Sequence, residues 1–471
     1  MFLSRFRPLV LCALFLAGIT LSSANDEKPN FIIIFTDDQG YNDLGCFGSK
    51  TIRTPNIDRL ATEGRRFTNF LVASPVCTPS RAALLTGCYP KRIGMHQHVL
   101  FPSSTRGLDP KEETIADLLK NQGYATACYG KWHLGHHSEV LPRAHGFDHY
   151  YGIPYSNDMN HPANKGKPKG GHAGMDILWA DPESTLTKWN TPLIENEEIV
   201  ELPVDQRTIT RRCTDKAIAF VEKNQGSPFF LYLPHSMPHI PLYVPDDVRD
   251  PDHKRAYINV IEHIDTEVGR LVDRVRDLGL SEKTYIIYTT DNGPWLSFKH
   301  HGGSALPLRE GKGTTFEGGQ RVPCVMWAPG RIPAGTECSS VSGTIDLLPT
   351  IASIIGAELS GAVIDGVDIS GLLTAETENS PREEFLYYSS RGDIEGLRQG
   401  KWKLLIKKSR KTRRPPSPLL TTTHLYNLES DLSEATNVAE QHPEIVEKLT
   451  TRMTELDADI TANARAAWHK E

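Results

Sequence analysis

The sequence predicts an α/β fold, with a large mixed, mostly parallel sheet covered by helices and a smaller C-terminal subdomain built on an antiparallel sheet. Three observations carry this reading. Short apolar runs recur at Phe31–Phe35, Ala125–Tyr129, Phe229–Leu233, Tyr285–Thr289 and Cys324–Trp327, and continuous runs of this kind suit strands buried on both faces. Helical patterns alternate with them, most clearly at Glu113–Asn121 and Tyr257–Leu278. After about Ala375 the texture changes to the strand-like segments Phe385–Ser389, Lys401–Ile406 and His424–Leu428, followed by a helical pattern at Pro443–Thr461.

The chain begins differently. Arg5 and Arg7 precede an apolar run from Leu9 to Leu21, and small residues follow at Ser22-Ser23-Ala24. This is the pattern of a cleaved export signal over residues 1–24, and the run is short for a membrane span. The expectation is an exported protein, periplasmic or secreted, with no stable membrane insertion. The rest divides into a large unit at 25–375 and an α+β subdomain at 376–471. Residues from about Ser156 to Val200 look irregular, with a Gly- and Lys-rich stretch at Asn164–Gly174. The basic run Lys407–Arg414 reads as a solvated hairpin tip.

With 471 residues, 39% hydrophobic and 23% charged, the composition is that of an ordinary folded protein and excludes disordered and fibrous classes. Loss of Arg5 and Arg7 with the signal would take the net charge from -6 to about -8. That balance argues against nucleic-acid binding. An anionic substrate would need a local basic pocket. Beyond Cys12, the cysteines are Cys46, Cys77, Cys88, Cys128, Cys213, Cys324 and Cys338, with no C-x-x-C spacing. A zinc site of that kind is not indicated, and an odd number in an exported chain points to one cysteine with a special role.

Ligands of open α/β sheets bind beyond the carboxyl ends of strands, and the chain places its polar residues there. Asp37 and Asp38 follow the first run, and Asp291 and Asn292 follow another. Each pair alone could cap a turn. Together they form an oxygen-only donor set suited to a hard cation such as Ca2+ or Mg2+. Lys131 and His133 follow the run ending near Gly130, and His235 follows Leu233. Lys312 lies in the Gly-rich stretch Gly311–Gly319. In Cys77-Thr78-Pro79-Ser80-Arg81-Ala82-Ala83-Leu84-Leu85-Thr86-Gly87, Pro79 fits a first helical position, Thr78 an N-cap and Gly87 a C-terminal stop. Cys77 would then sit at the positive end of a short helix, with Arg81 on the same side.

Cys77-x-Pro79-x-Arg81 followed by Leu85-Thr86-Gly87 resembles the maturation signature of the type I, formylglycine-dependent sulfatases, in their arylsulfatase-like and glycosaminoglycan-sulfatase-like branch. The resemblance runs from Asn30 to about Pro349. It implies an alkaline-phosphatase-like sandwich and the hydrolysis of sulfate esters, on a sulfated carbohydrate or aryl sulfate. It implies that a maturation enzyme converts Cys77 to formylglycine (3-oxoalanine), whose hydrate attacks sulfur through one hydroxyl and expels sulfate through the other. Asp37, Asp38, Asp291 and Asn292, with the modified Cys77, match the ligands of one Ca2+ ion; the choice of Ca2+ over Mg2+ rests on the resemblance. Arg81, Lys131, His133, His235 and Lys312 match sulfate-binding and proton-transfer positions. His239, His300, His301 and Arg309 lie near these motifs and are candidates for a sugar subsite, His301 foremost. Two alternatives stay open: a phosphate or phosphonate ester hydrolase of the same superfamily, and a non-catalytic binder of sulfated glycans.

Overall fold

The structure is a computed structural model that describes residues 28–159, 172–183, 189–410 and 419–470. The segment 1–24 and residues 164–171 of the Gly- and Lys-rich stretch lie outside the described residues.

The strands, in chain order, are β1 (Asn30–Thr36), β2 (Arg65–Leu71), β3 (Arg106–Gly107), β4 (Ala125–Lys131), β5 (His149–Ile153), β6 (Leu193–Glu195), β7 (Glu198–Glu201), β8 (Phe229–Pro234), β9 (Thr284–Thr290), β10 (Arg321–Trp327), β11 (Thr336–Cys338), β12 (Ser342–Gly343), β13 (Glu384–Tyr388), β14 (Ile394–Gln399), β15 (Trp402–Arg410), β16 (Leu419–Asn427) and β17 (Trp468–His469). The helices are α1 (Pro55–Glu63), α2 (Cys77–Thr86), α3 (Ile115–Asn121), α4 (His172–Ala180), α5 (Ile209–Lys223), α6 (Ala256–Asp277), α7 (Glu317–Gln320), α8 (Leu347–Ile355), α9 (Ser370–Leu373) and α10 (Pro443–Ala462).

An eleven-stranded sheet runs in the order β11-β2-β10-β9-β1-β8-β4-β5-β6-β7, with β12 also paired to β2. Its centre, β9-β1-β8-β4-β5, is parallel, while β10 joins β2 and β9 in antiparallel sense. The register is continuous, from Asn30 opposite Thr284 to Thr36 opposite Thr290. Residues of β1 alternate between two cores. Ile32 and Ile34 join α1, α5 and α6 on one face, and Phe31, Ile33 and Phe35 join α2, α3 and α8 on the other. All five are at most 1% exposed, and each such side chain contributes about 1.5–3 kcal/mol by burial. This two-faced burial explains why the strand reads as an unbroken apolar run.

The small sheet β13-β14-β15-β16 is antiparallel throughout and packs with α10 around Phe385, Tyr387, Leu397, Leu404 and Met453. The expectation that Ser156 to Val200 is irregular is corrected by α4 and by the β6–β7 hairpin. The expected solvated tip at Lys407–Arg414 is corrected in part: β15 runs on to Arg410, and Lys407 Nζ donates to Thr315 Oγ1 at 3.1 Å; residues 411–414 lie outside the described residues. No helix among the described residues is long and apolar enough to cross a membrane.

Candidate active site

The parallel centre of the sheet sets the site. Because β9, β1, β8 and β4 run the same way, Thr290, Thr36, Pro234 and Lys131 end along one edge, and the residues just past them face one another across it. Two of these residues take left-handed backbone, Asp38 (φ 65) and His133 (φ 61), at a cost of roughly 1–2 kcal/mol each for an L-residue. Hydrogen bonds hold both: Asp38 N–H donates to Asp291 Oδ1 at 3.2 Å, and His133 N–H to Pro154 O at 3.2 Å. Behind Asp291 and Asn292, Gly293 is pressed against the Glu317–Gly319 turn. A Cβ there would lie 1.7 Å from Gly318 O, so only glycine lets the two loops meet.

Helix α2 brings Cys77. It starts two residues earlier than the sequence suggests: Val76 is the N-cap and Cys77 the first helical residue. Thr78 is drawn away from capping, since its hydroxyl donates to His133 O at 2.9 Å and accepts from Leu100 N–H at 3.1 Å. All ten residues of α2 are buried, and Gly87 closes it in left-handed conformation at φ 66.

The side chains interlock. Cys77 Sγ lies 3.5 Å from Asp37 Oδ1 and 3.6 Å from Lys312 Nζ. Arg81 binds Asp291 Oδ2 through Nε at 3.0 Å and Nη2 at 2.7 Å, and its Nη1 donates to Lys131 O at 3.1 Å. Lys131 Nζ reaches Asp37 Oδ2 at 2.5 Å and Ser156 Oγ at 3.1 Å. Lys312 Nζ reaches Asp38 Oδ2 at 2.6 Å and stands 4.3 Å from the centre of the Trp295 ring. Asn292 Nδ2 donates to Asp38 Oδ1 at 2.7 Å.

Charge in this dry setting is strongly perturbed. Burial pushes the Asp37 carboxyl up, but Lys131, His239, Arg81 and Lys312 outweigh it and leave Asp37 well below its ordinary value. Asp291 is pushed up to about 7 by burial and by the charge of Asp37, against Arg81. Burial, and then Asp37, raise the Cys77 thiol well above its usual range, so an unmodified Cys77 stays a thiol and a poor nucleophile. Burial, with Lys131 and Arg81, keeps His133 neutral. Its Nε2 faces Leu100 O at 2.9 Å and must carry the proton, while the buried Nδ1 has no hydrogen-bond partner. That nitrogen is a ready proton acceptor.

The acidic pairs fit a hard cation. Asp37, Asp38 and Asp291 are buried carboxylates; burial first, and then the charge of Asp37, raises Asp38 and Asp291, and Asn292 Oδ1 is a buried oxygen without a hydrogen-bond partner. A divalent ion bound by these oxygens would relieve both conditions.

Of the residues singled out from sequence, Asp37, Asp38, Cys77, Arg81, Lys131, Asp291, Asn292 and Lys312 are drawn together, and His133 adjoins them through Thr78. His235 is not. It is buried without a hydrogen-bond partner on either ring nitrogen, and burial first, with His263 of α6 second, pushes it down to about 3. The imidazole that enters is His239. Its Nε2 lies 3.6 Å from Asp38 Oδ2 and 3.3 Å from Ser156 Oγ, and its ring lies 5.4 Å from that of Trp295. Donor atoms of Asp37, Asp38, Cys77 and His239 all lie within 4.8 Å of one another. Ser156 and Trp295 are further members that the sequence reading missed. His301 is placed elsewhere, with Nε2 2.8 Å from Asp176 Oδ1. Arg309 is taken up by the C-terminal segment, donating to Glu434 O at 2.8 Å and lying over Phe316.

Comparison with known proteins places this geometry. A family model described as Sulfatase matches residues 29–357. Arylsulfatase A of Bos taurus is 39% identical over 400 residues, covering 82% of this chain and 76% of that protein. Arylsulfatase G of Rattus norvegicus is 34% identical over 458 residues, covering 92% and 86%. Among solved structures, that of Ps i-CgsB in complex with k-i-k-neocarrahexaose superposes with a TM-score of 0.77 at 31% identity, covering 94% of this chain and 95% of that one.

Proposed function

The chain belongs to the sulfatase family and is a sulfuric ester hydrolase, and on that premise we propose that it is exported and cleaves sulfate esters of a carbohydrate substrate with a formylglycine nucleophile made from Cys77 by a maturation enzyme. The observation that carries this is the setting of Cys77: the head of a buried helix, 3.5 Å from Asp37 Oδ1 and 3.6 Å from Lys312 Nζ. The carbohydrate reading is supported by the neocarrahexaose bound to the related Ps i-CgsB, and export by the residues at 1–24. The sulfatase unit proper is assigned to 25–375, and the α+β subdomain to 376–471.

Asp37, Asp38, Asp291 and Asn292, beside residue 77, would hold one Ca2+ ion. When bound, it neutralises charge on the sulfate oxygens. The aldehyde hydrate supplies the two hydroxyls, one to attack sulfur and one to release it. The remaining work falls to residues of this chain. Arg81, fixed by Asp291, aligns the cluster at the helix terminus. Lys131 and Lys312 bring ammonium groups to an anion held there, where a preorganised donor typically accounts for about 10²–10³ in rate. Lys312, held protonated beside Asp38, gives a proton to the departing oxygen, and His239, with Nδ1 donating to Ile240 O at 2.6 Å, presents Nε2 as an acceptor that orients the groups around it. His133 Nδ1 takes the proton from the second hydroxyl. Ser156 holds Lys131 and His239 in register.

Two measurements test this together: a peptide mass spectrum across Cys77 after co-expression with a maturation enzyme, and turnover of an aryl sulfate against an aryl phosphate. Conversion of thiol to aldehyde that scales with sulfate release upholds the proposal. A thiol under competent maturation, or preference for the phosphate, removes it.

A further inference from the structure

A second cluster lies beside the cleft. Asp176 Oδ1 is 2.8 Å from Nε2 of both His300 and His301, and Asp176 Oδ2 is 4.0 Å from His253 Nε2. Donor atoms of Asp176, His253 and His300 all lie within 4.8 Å of one another. They come from three separate segments: α4, the turn His253–Arg255 that leads into α6, and the turn Leu296–His301. Helix α4 is fastened there independently, since Trp179 Nε1 donates to Asp250 O at 2.8 Å and Arg249 Nη1 to Trp179 O at 3.2 Å. The third segment opens at Trp295, the aromatic that lies against Lys312 and His239.

We propose that Asp176, His253 and His300 bind a first-row divalent transition ion of the Zn2+ type, at a site separate from the nucleophile centre. Two imidazoles and one carboxylate suit a borderline ion rather than a hard one. Tetrahedral ligation at about 2.0–2.2 Å sets neighbouring donors roughly 3.3 Å apart, between the 2.8 Å spacing and the 4.8 Å limit observed here. Small rotations of the side chains achieve it. Water completes the fourth position, and the His301 contact to the same carboxylate orients that ligand. Side-chain exposures of 31% for Asp176, 29% for His300 and 40% for His253 leave a path for the ion from solvent. Once bound, the ion ties α4 to the segment that carries Trp295, so its occupancy reaches the substrate cleft.

The full chain, treated with chelator, would be dialysed against Zn2+ in excess Ca2+ and analysed for metal, and titrated with Co2+ to read its visible d–d bands. The expected result is one equivalent of Zn2+ per chain and a tetrahedral Co2+ spectrum. His253→Ala and His300→Ala each weaken uptake at least about tenfold, while Asp291→Asn leaves it unchanged. Far-UV circular dichroism verifies that the variants fold. No Zn2+ uptake by the unaltered chain, displacement of Zn2+ by Ca2+, or full uptake by the His253→Ala/His300→Ala double variant overturns the proposal, and leaves a hydrogen-bonded imidazole cluster around Asp176.

Discussion

Lys403→Met should destabilise the protein well out of proportion to one side chain. Lys403 is fully buried on β15, and its Nζ lies 2.8 Å from Glu317 Oε1 and 2.9 Å from Glu434 Oε1, both buried. Tyr387 OH donates to Glu317 Oε1 at 2.8 Å, and Glu434 Oε2 accepts from Glu317 N–H at 2.6 Å. Burial would raise Glu317, but Lys403, Arg398 and Arg321 hold it down at about 2. Removing the ammonium leaves two facing carboxylates short of countercharge, and breaking a buried pair in this way costs about 3–5 kcal/mol. At about 2.1 cal/mol/K per residue, a chain of this length unfolds with an entropy near 1 kcal/mol/K, so Tm should fall by about 3–5 °C. The sign with pH follows from the carboxyls. In the parent, a depressed Glu317 stabilises above its ordinary value and loses that contribution as pH falls towards about 2. In the variant both carboxyls are raised, so its stability drops as pH rises, and the gap in Tm should widen from pH 5 to pH 8. Calorimetry across that range checks both statements. A loss under about 1 °C at pH 7, or a gap that narrows with pH, would refute the idea that this triad is held by charge.

Further outcomes are expected. His133→Ala should leave attack intact and slow release from the covalent intermediate by about 10²–10³; a pre-steady-state burst followed by stalled turnover is the signature, and unchanged steady-state rates exclude the role. His239→Ala should lower kcat by about 10²–10³, whereas His235→Ala should lower Tm with kcat retained; the reverse pattern would restore His235 to the site. Buried His145 and His235 titrate near about 3 and His263 near about 4. Below the ordinary histidine value the unfolded chain takes up protons that the folded chain refuses, so stability falls as pH drops from about 6.5 towards those values, by about 2 kcal/mol per histidine at pH 5. Denaturant titrations at pH 7 and pH 5 measure this, and equal midpoints would contradict it.

Much of this architecture is legible in the chain because burial leaves a plain mark. Strands covered on both faces, such as β1 and β9, are unbroken apolar runs, and a pair of oxygen donors directly after each, Asp37-Asp38 and Asp291-Asn292, declares the edge where they end. Legibility fails where tertiary contacts outbid local rules. Thr78 looks like an N-cap, yet its hydroxyl is claimed by His133 O and Leu100 N–H, and the helix begins at Cys77. His235 follows its strand directly, while His239 arrives through a turn containing Pro238 and Pro241 that no strand-end rule covers. The only available signal was a second histidine four residues on. β14 (Ile394–Gln399) shows no long apolar run, because its three buried residues are Gly396, Leu397 and Arg398, one large apolar side chain among them. Lys407 reads as solvated, but Thr315 and Glu395 receive it and the strand continues.

The complete burial of α2 has a consequence in time rather than in space. Cys77 is 1% exposed, and the segment from Cys77 to Arg81 lies wholly inside the fold. On the proposed chemistry, no second enzyme can grip that segment after the sheet and its helices have closed around it. On that proposal the aldehyde is installed while the chain is still extended, before folding is complete. A polypeptide that misses this interval becomes a well-folded protein that is permanently silent, and a maturation enzyme added to it afterwards should rescue nothing unless the chain is first unfolded.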